Sequence, residues 1–476
     1  MGAEGTRLRT PARRAGAPRP AARTAVPRPA GRTLPPRPAP GRAAPRVERR
    51  PSAPVQSFRR PWSARSAGAA ARATVTTLSQ IDGWLLALIA GLCAFGLVMV
   101  YSASEALGYA WYGNPGYFFQ RQFVWLGAGV PLMLVAARID YRRWARWSRP
   151  LGVATLVLLV LVLVPHLGSE RLGARRWFTL GPLSVQPSAV ATLVAIVWFS
   201  RWLCERGAAM RVGRTARQFG VLLTVVLLMV VLERDLGSAV VLAAIGLVLA
   251  ALGGVRKRHL AQIGGTLLGL GWIAIHLESY RSSRLHSFLS FDPFKDPLNT
   301  GFQGVQSLLA LGSGGLRGVG LGNSIQKFQW LPEAHTDFIF AIIGEELGFI
   351  GCLAVLTAFL MLGWRGVRAS MRAPDAFGAL LAGGIVAWIC LQAFINIGAV
   401  TGVLPTTGIP LPFISSGGTS LLMTLVACGV LCNISAQGRA QGESRRAHVD
   451  RWRGDGGTPH TRAGRRPDAA THRSRR

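Results

Sequence analysis

The sequence predicts an all-α membrane protein: a polytopic bundle of ten transmembrane helices, with a long extracellular loop between helices 7 and 8 and disordered basic cytoplasmic tails. Two observations support this fold class. Half of the 476 residues are hydrophobic and only 16% are charged, against about a quarter in soluble domains. The net charge is nevertheless +33, so charged and apolar residues must occupy different parts of the chain.

The positive charge is concentrated at the two ends of the sequence. Residues 1–80 hold 17 Arg against two acids, and residues 437–476 hold 11 Arg against four acids. The Arg-, Pro- and Ala-rich first segment buries too little apolar surface to offset chain entropy. We predict disordered tails over 1–78 and 437–476, around a membrane domain at 79–436. No aromatic interleaving supports nucleic-acid binding, and anionic lipids suit the Arg content better.

Ten apolar segments in the membrane domain are close to the ~20 residues that cross a bilayer. Their predicted limits are 82–101, 122–137, 150–166, 188–204, 218–233, 237–253, 259–277, 337–361, 377–398 and 417–436. Basic clusters occupy every second connection, on the same side as both tails. The positive-inside rule places that side in the cytoplasm.

The remaining connections are therefore predicted to be extracellular. They are 102–121, 167–187, the turn at 234–236, the long 278–336, and 399–416. The last of these is apolar yet contains several Pro and Gly, so it must be buried in protein or line a cavity. Gln392 and Asn396, one helical turn apart, indicate a polar seam beside it.

One stretch, residues 330–348 (WLPEAHTDFIFAIIGEELG), passes from polar sequence directly into an apolar helix. Glu333, His335 and Asp337 lie at its lip, and Lys327 is close by in the sequence. Asp337 could be a helix-capping acid stabilised by the helix dipole. Alternatively, partial desolvation would raise its pKa and suit it to general-base catalysis.

Glu345 and Glu346 follow about two turns further along the same helix. They could act directly in catalysis or pair with an Arg of a neighbouring helix and hold the bundle together. Arg234, Arg175 and Arg176 are the expected partners. The last two, next to Trp177, also suit a lipid phosphate or pyrophosphate at headgroup level, although generic interfacial anchoring explains them equally.

Five strings, in order within residues 82–436, resemble the SEDS family: GARRWFTLGPLSVQPS, RDLGSA, QSLLALGSGGLRGVGLGNS, QKFQWLPEAHTDFIFAIIGEELG and INIGAVTGVLPTTGIPLPFISSGGTSLL. The resemblance implies ten transmembrane helices and a peptidoglycan glycosyltransferase that polymerises lipid II outside the cytoplasmic membrane. It also implies a class B penicillin-binding transpeptidase and other divisome proteins as partners. The PEAHTDF form favours the cell-division branch of the family, and hence the division septum.

The resemblance further implies that Asp337 is catalytic. It would deprotonate the 4-hydroxyl of the acceptor sugar, which displaces undecaprenyl pyrophosphate from the anomeric carbon with inversion. The residues predicted to bind the substrate are Arg175, Arg176, Gln186, Ser188, Lys327, Glu333, His335, Glu345, Glu346, Asn396 and Ser415. A divalent cation, Mg²⁺ or Mn²⁺, could bind between Glu333, Asp337 and the pyrophosphate, although no ligand spacing in the sequence requires a metal.

Some positions depart from the family pattern. Ala189 and Thr192 stand where the family usually has Glu and Lys, Arg234 replaces a Pro, and Ser416 replaces a Tyr. These differences bear on the mode of ligand binding and favour a specialised paralogue. Three alternative functions stay open. The protein could be a lipid II flippase or transporter, a non-catalytic divisome scaffold, or an elongation- or sporulation-specific paralogue.

Overall fold

A computed structural model of the chain describes residues 81–171, 174–180, 183–289 and 301–454. The predicted tail at 1–78 lies outside the described residues, as does the end of the second tail.

Helices make up most of the described chain. In chain order the α-helices are α1 (Gly83–Tyr112), α2 (Tyr117–Arg138), α3 (Tyr141–Leu163), α4 (Pro187–Arg206), α5 (Gly213–Leu232), α6 (Leu236–Leu252), α7 (Lys257–His276), α8 (Ser279–Leu289), α9 (Phe302–Gly314), α10 (Ile339–Met371), α11 (Ala376–Val400) and α12 (Gly418–Gly454). A short 3-10 helix, Gly207–Arg211, follows α4. Three strands, β1 (Ser169–Arg171), β2 (Ala174–Leu180) and β3 (Leu183–Val185), form an antiparallel sheet in the order β1-β2-β3.

The apolar helices make this a multi-pass membrane protein. Among the described residues, seven helices are long and apolar enough to cross a membrane: α1, α3, α4, α5, α10, α11 and α12. Helix α6 is apolar but has 17 residues. The ten predicted segments coincide with ten helices: the eight just named, and α2 and α7. Whether all ten cross the membrane stays a prediction.

The structure corrects the first predicted outer loop. Helix α1 continues past residue 101 to Tyr112 and α2 begins at Tyr117, so the connection between them spans only 113–116. The reason is visible at Ser102, whose buried hydroxyl bonds to Glu346 at 2.7 Å. Residues 102–104 and Gly108 are buried, whereas the last turn of the helix, 109–112, is exposed. Gly113, with φ of 64°, ends the helix in a left-handed conformation that glycine adopts without strain.

Two other predicted segments contain regular structure that the sequence pattern did not show. The predicted long loop 278–336 contains α8 and α9, and the predicted loop 167–187 contains the three-stranded sheet. Disorder from residue 437 is also wrong up to Gly454, because α12 continues there. Arg439 holds this extension by an ion pair to Asp82 at the start of α1.

Helices α4, α11 and α12 form the centre of the bundle. The apolar windows of these three are 72%, 67% and 78% buried, whereas those of the other candidate spans are 28–39% buried. Their partners include α2 along α12, α10 along α11 and α3 along α4. The peripheral helices therefore present their apolar faces to lipid.

Candidate functional site

Asp337 lies at the end of a turn-rich segment, two residues before α10 begins at Ile339. Its backbone carbonyl accepts a 2.6 Å hydrogen bond from Asn396 Nδ2 of α11, and the same amide donates to the Ile409 carbonyl at 2.7 Å. Gly408 faces the carboxylate: a Cβ built there would lie 3.6 Å from Asp337 Oδ2. The backbone of a glycine, with no side chain, therefore lies beside the Asp337 carboxylate.

The surroundings of Asp337 weaken its acidity. Burial raises the pKa of Asp337 to about 6, the hydrogen bond from Thr336 opposes this rise, and the charge of Glu333 adds to it. Thr336 Oγ lies 2.9 Å from Asp337 Oδ1 and 2.8 Å from Glu333 Oε2. The predicted effect of desolvation is confirmed. A carboxylate with this pKa is ionised at pH 7 yet basic enough to accept a proton from a hydroxyl in a transition state.

His335 is packed inside the protein beside this site. Its ring lies 4.4 Å from the ring of Phe118, and its carbonyl accepts a hydrogen bond from the Ser416 backbone N–H at 3.0 Å. Burial lowers the pKa of His335, against the influence of Glu333, so the imidazole is neutral at pH 7. His335 therefore joins α2 to the segment before α12, and its predicted contact with substrate stays a prediction.

The apolar segment before α12 folds back into the protein, as predicted from its composition. Gln392 Nε2 donates to the Pro410 carbonyl at 2.8 Å, next to the Asn396 bond to the same segment. The predicted polar seam on α11 is thus confirmed. The buried apolar residues of this segment are Ile409, Leu411, Phe413 and Ile414.

Gln122 of α2 holds the other side of this segment, and its role was not predicted. Its Nε2 donates to the Ser415 carbonyl at 3.1 Å, and its Oε1 accepts from the Gly417 N–H at 3.4 Å. Ser415 Oγ accepts a hydrogen bond from the Leu411 N–H at 2.7 Å. A buried amide in an apolar segment was the signal that could have identified Gln122.

Glu345 and Glu346 bind the loop that precedes Asp337. Glu345 accepts hydrogen bonds from Ser324 Oγ at 2.5 Å and from a backbone N–H of the same loop. Glu346 accepts from Ser102 Oγ at 2.7 Å and lies 3.8 Å from Lys327 Nζ. The side chain of Lys327 is only 2% exposed. These contacts give both glutamates and Lys327 a structural role in the loop.

The arginines predicted to pair with these glutamates lie elsewhere, so that prediction is wrong. Arg234 Nε pairs with Glu278 at 3.2 Å. Arg176 donates to the backbone carbonyls of Glu233 and Arg234. Strand β2 carries Arg175 and Arg176, while the glutamates obtain their partners from α1 and from the loop before Asp337.

A break in α10 makes the loop contacts possible. Gly348 has φ 66° and ψ −164°, and a Cβ there would collide with the backbone nitrogen of Gly318. Residues on both sides of the break exchange backbone hydrogen bonds with the loop after α9: Val319 N to Glu345 O at 3.0 Å, Gly320 N to Glu346 O at 3.0 Å, Phe349 N to Gly315 O at 2.9 Å and Ile350 N to Leu316 O at 3.2 Å. The glycines let the two backbones approach.

A second polar cluster lies at the start of α4. Asp235 Oδ2 accepts hydrogen bonds from Gln186 Nε2 at 2.9 Å, Ser188 Oγ at 2.9 Å and Ser238 Oγ at 2.7 Å. The hydroxyl of Thr192, at a position where a Lys was expected, donates back to the Ser188 carbonyl. Gln186 and Ser188 therefore position Asp235, a residue that the sequence analysis did not single out.

Glu233 is buried next to this cluster with no hydrogen-bond partner for either carboxylate oxygen among the described residues. Burial raises the pKa of Glu233 to about 9, Asp235 adds to the rise, and Arg176 opposes it. Glu233 is therefore neutral at pH 7. A Cβ on Gly237 would lie 2.8 Å from the Thr407 carbonyl, so this cluster and Asp337 flank the same segment before α12.

The carboxylates at Asp337 offer few ligands for a cation. Glu333 and Asp337 approach the same hydroxyl, that of Thr336. Within the described ranges no group of three or more His, Cys, Asp or Glu could hold a metal ion. Mg²⁺ is commonly bound by one or two carboxylates together with substrate phosphates and water, so these two residues fit only a site completed by substrate.

Comparison with known proteins gives a consistent result. Residues 83–440 match the cell cycle protein family of FtsW, RodA and SpoVE. The probable peptidoglycan glycosyltransferase FtsW of Geobacter metallireducens is 41% identical over 362 residues, 76% of this chain and 96% of that protein. Stage V sporulation protein E of Bacillus subtilis is 42% identical over 371 residues, 77% of this chain and 100% of that protein.

Solved structures show the same relationship. A chain of a peptidoglycan synthase complex, described as coordinating polymerization and crosslinking, is 29% identical and aligns with a TM-score of 0.61 over 75% of this chain and 98% of its own. The rod shape determining protein RodA of Thermus thermophilus is 28% identical, with a TM-score of 0.52 over 75% of this chain and 96% of its own. These matches show that the chain belongs to the FtsW/RodA/SpoVE family, the SEDS proteins.

Proposed function

We propose that this protein is a peptidoglycan glycosyltransferase that polymerises lipid II at the outer face of the cytoplasmic membrane during cell division. The observation that carries the proposal is Asp337, a partly exposed carboxylate with a pKa of about 6 at the lip of an apolar helix. A lipid-anchored sugar can reach this level of the membrane. The relatives named as probable peptidoglycan glycosyltransferases support the same reaction.

In the proposed reaction, the Asp337 carboxylate takes the proton of the acceptor sugar's 4-hydroxyl. The oxygen forms a bond to the anomeric carbon of the lipid-linked chain as the bond from that carbon to the phosphate oxygen breaks. Undecaprenyl pyrophosphate leaves with the electron pair, and the configuration inverts. Asn396 anchors the backbone carbonyl of Asp337, which keeps the approach of the base to the hydroxyl fixed.

The proposal includes ten membrane spans with both ends in the cytoplasm, and a class B penicillin-binding transpeptidase as partner. A partner of this kind is consistent with the likeness to a chain of a peptidoglycan synthase complex. Glycan strands must be crosslinked as they are made, so a polymerase and a transpeptidase have reason to act side by side.

Polymerisation of lipid II by the purified protein, with its transpeptidase partner, tests the proposal. We expect glycan ladders from the wild type and from Glu205→Gln, which alters an acid at the opposite, cytoplasmic end of α4. Asp337→Ala and Asp337→Asn should make none. Equal ladders from all four proteins would refute the role of Asp337. If the protein moves lipid II across the membrane of vesicles and makes no polymer, it is a flippase. If cells with Asp337→Ala form a normal septum, the protein is a scaffold.

A further inference from the structure

The amino-terminal end of α12 presents unused hydrogen-bond donors. The helix begins at Gly418, and the Leu421 N–H donates to the carbonyl of Gly417, the residue before the helix. In the described part of the chain, the backbone N–H groups of Gly418, Thr419 and Ser420 meet no acceptor. Gly418 and Ser420 are partly exposed, so a ligand could reach this end. Such an end attracts anions through its N–H groups and the helix dipole.

Trp125 provides a second and independent indication of a ligand. It is only 8% exposed, and its indole N–H has no hydrogen-bond partner among the described residues. A Cβ on Gly418 would collide with Trp125 Nε1, which is the ring atom nearest to it. A buried, unpaired donor costs free energy unless something accepts its hydrogen bond. Trp125 Nε1 therefore lies against the first turn of α12, where the backbone donors are also unpaired.

A cationic side chain completes this end of the helix. Arg121, one turn before Trp125 on α2, donates to Ser184 Oγ at 2.5 Å. The Ser184 carbonyl accepts a hydrogen bond from Thr419 Oγ at 2.9 Å, and Thr419 Oγ accepts from the Gln186 N–H at 3.2 Å. These bonds keep the first turn of α12 and the guanidinium in fixed positions relative to each other. The first-turn N–H groups and Trp125 Nε1 are hydrogen-bond donors, and Arg121 is a cation. Together these groups favour a multiply charged anion.

We propose that the first turn of α12, Trp125 Nε1 and Arg121 form a site for the phosphate groups of a membrane lipid, and that its ligand is the diphosphate of the lipid-linked sugar. This inference rests on the proposed function, which requires a lipid diphosphate to be held and released. Ser416, two residues before α12, is bonded through its N–H to the carbonyl of His335, two residues from Asp337. This backbone hydrogen bond connects the segment before the phosphate site with the segment that carries the proposed base.

Binding of farnesyl pyrophosphate to the full-length protein in phosphatidylcholine nanodiscs tests the proposal. We expect Trp125→Phe, which keeps a ring and removes the donor, to weaken binding about 10-fold or more, because hydrogen bonds to charged groups are the stronger ones. Arg121→Gln should weaken it similarly. Trp111→Phe, which changes an exposed indole at the end of α1, should bind as the wild type does.

A second variant separates loss of the site from loss of the fold. Ser420→Asp places an acid in the first turn, where the helix dipole stabilises it, so the Tm should be maintained while farnesyl pyrophosphate binding is lost. If all three variants bind like the wild type, the proposal is wrong. If farnesyl monophosphate or added phosphatidylglycerol displaces the diphosphate at equal concentration, the phosphate site stands but its source is an ordinary phospholipid.

The outcomes for this site and for the proposed function can be told apart. Asp337→Asn should bind farnesyl pyrophosphate like the wild type and make no polymer. Normal binding by Trp125→Phe, Arg121→Gln and Ser420→Asp, with polymer still dependent on Asp337, would reject only the phosphate site. Polymer made by Asp337→Asn, with binding still dependent on Trp125, would reject only the proposed base.

Discussion

At the scale of single residues, Asp337 and its two neighbours set the pH range in which the proposed base is ionised. Activity should rise as pH increases through about 6, because the base must lose its proton before it can act. Thr336 lowers the pKa of Asp337 and Glu333 raises it. We therefore expect Thr336→Val to move the acid limb of kcat/KM to higher pH and Glu333→Gln to move it to lower pH, in polymerisation assays from pH 5 to 8.

These opposite shifts distinguish a base from a structural acid. A variant that merely loosened the site would lower the rate at every pH and leave the midpoint of the limb in place. Shifts of the same sign for both variants would contradict the assignment, since the two neighbours act on the carboxyl in opposite directions. Glu205→Gln, on the far end of α4, serves as the control with an unchanged limb.

Glu233 makes a separate prediction about stability. Its folded-state pKa of about 9 exceeds the ordinary value of 4.5, so the folded protein binds more protons than the unfolded chain between these values. Stability from this group is greatest at low pH and falls as pH rises through that interval. Glu233→Gln removes the titration, so Tm between pH 5 and 8 should become flatter than in the wild type. An identical pH dependence of Tm in detergent would show that Glu233 is ionised in the folded protein.

At the scale of helices, the sequence predicted positions well and partners poorly. Hydrophobic length and basic clusters located a helix at each of ten segments, and the sharp polar-to-apolar change located Asp337 at the start of α10. The partners of Glu345 and Glu346 could not be predicted in this way. They depend on the break at Gly348 and on the continuation of α1 past residue 101, and both arise from contacts between segments distant in the chain.

The buried contact between Lys327 and Glu346 predicts strong coupling between α1, α10 and the loop. Lys327→Met and Glu346→Gln should each destabilise the fold, by about 3 kcal/mol, because each removes an oppositely charged neighbour from a buried charge. Glu105, 3.8 Å from Lys327 Nζ, stays beside the lysine in the second variant. The double variant should lose less than the sum of the two. Arg201→Met with Glu205→Gln is the matched control, since this pair lies on one helix and is partly exposed, with coupling of about 0.5 kcal/mol. Additive Tm losses at 327 and 346 would rule out the coupling.

At the scale of the whole molecule, the two faces of the bundle are held by different chemistry. On the face with the basic connections, Asp82 pairs with Arg365 at 2.5 Å and Arg142 pairs with Asp375 at 2.9 Å. On the other face, backbone bonds and neutral amides hold the segment around Asp337. Ion pairs therefore hold the face with the basic connections, whereas uncharged groups hold the segment around Asp337 and leave the Asp337 carboxylate available for a ligand.

This division holds only if the number of spans is even. The count depends on α2, α6 and α7, the three predicted spans that are not among the seven candidate helices, and α7 decides the side on which Asp337 lies. The seven helices that meet the length and composition of a span would put the two ends of the described chain on opposite sides, whereas ten put them on the same side. Helix α7 begins with basic residues, Lys257 to His259, and ends near Leu277, which is 77% exposed. If α7 spans, these two ends lie on opposite faces of the membrane.

Labelling with a membrane-impermeant maleimide in intact cells decides this, using Lys257→Cys and Leu277→Cys in a protein whose own six cysteines are replaced. We expect Leu277→Cys to react and Lys257→Cys to react only after the membrane is opened, because the basic end belongs inside. Leu167→Cys and Ala208→Cys, across the apolar α4, are the matched pair. If neither α7 position reacts until the membrane is opened, both ends of α7 lie inside and α7 does not cross the membrane. Asp337 would then follow six crossings, an even number, and face the cytoplasm, where the lipid-linked chain of the proposed reaction is absent.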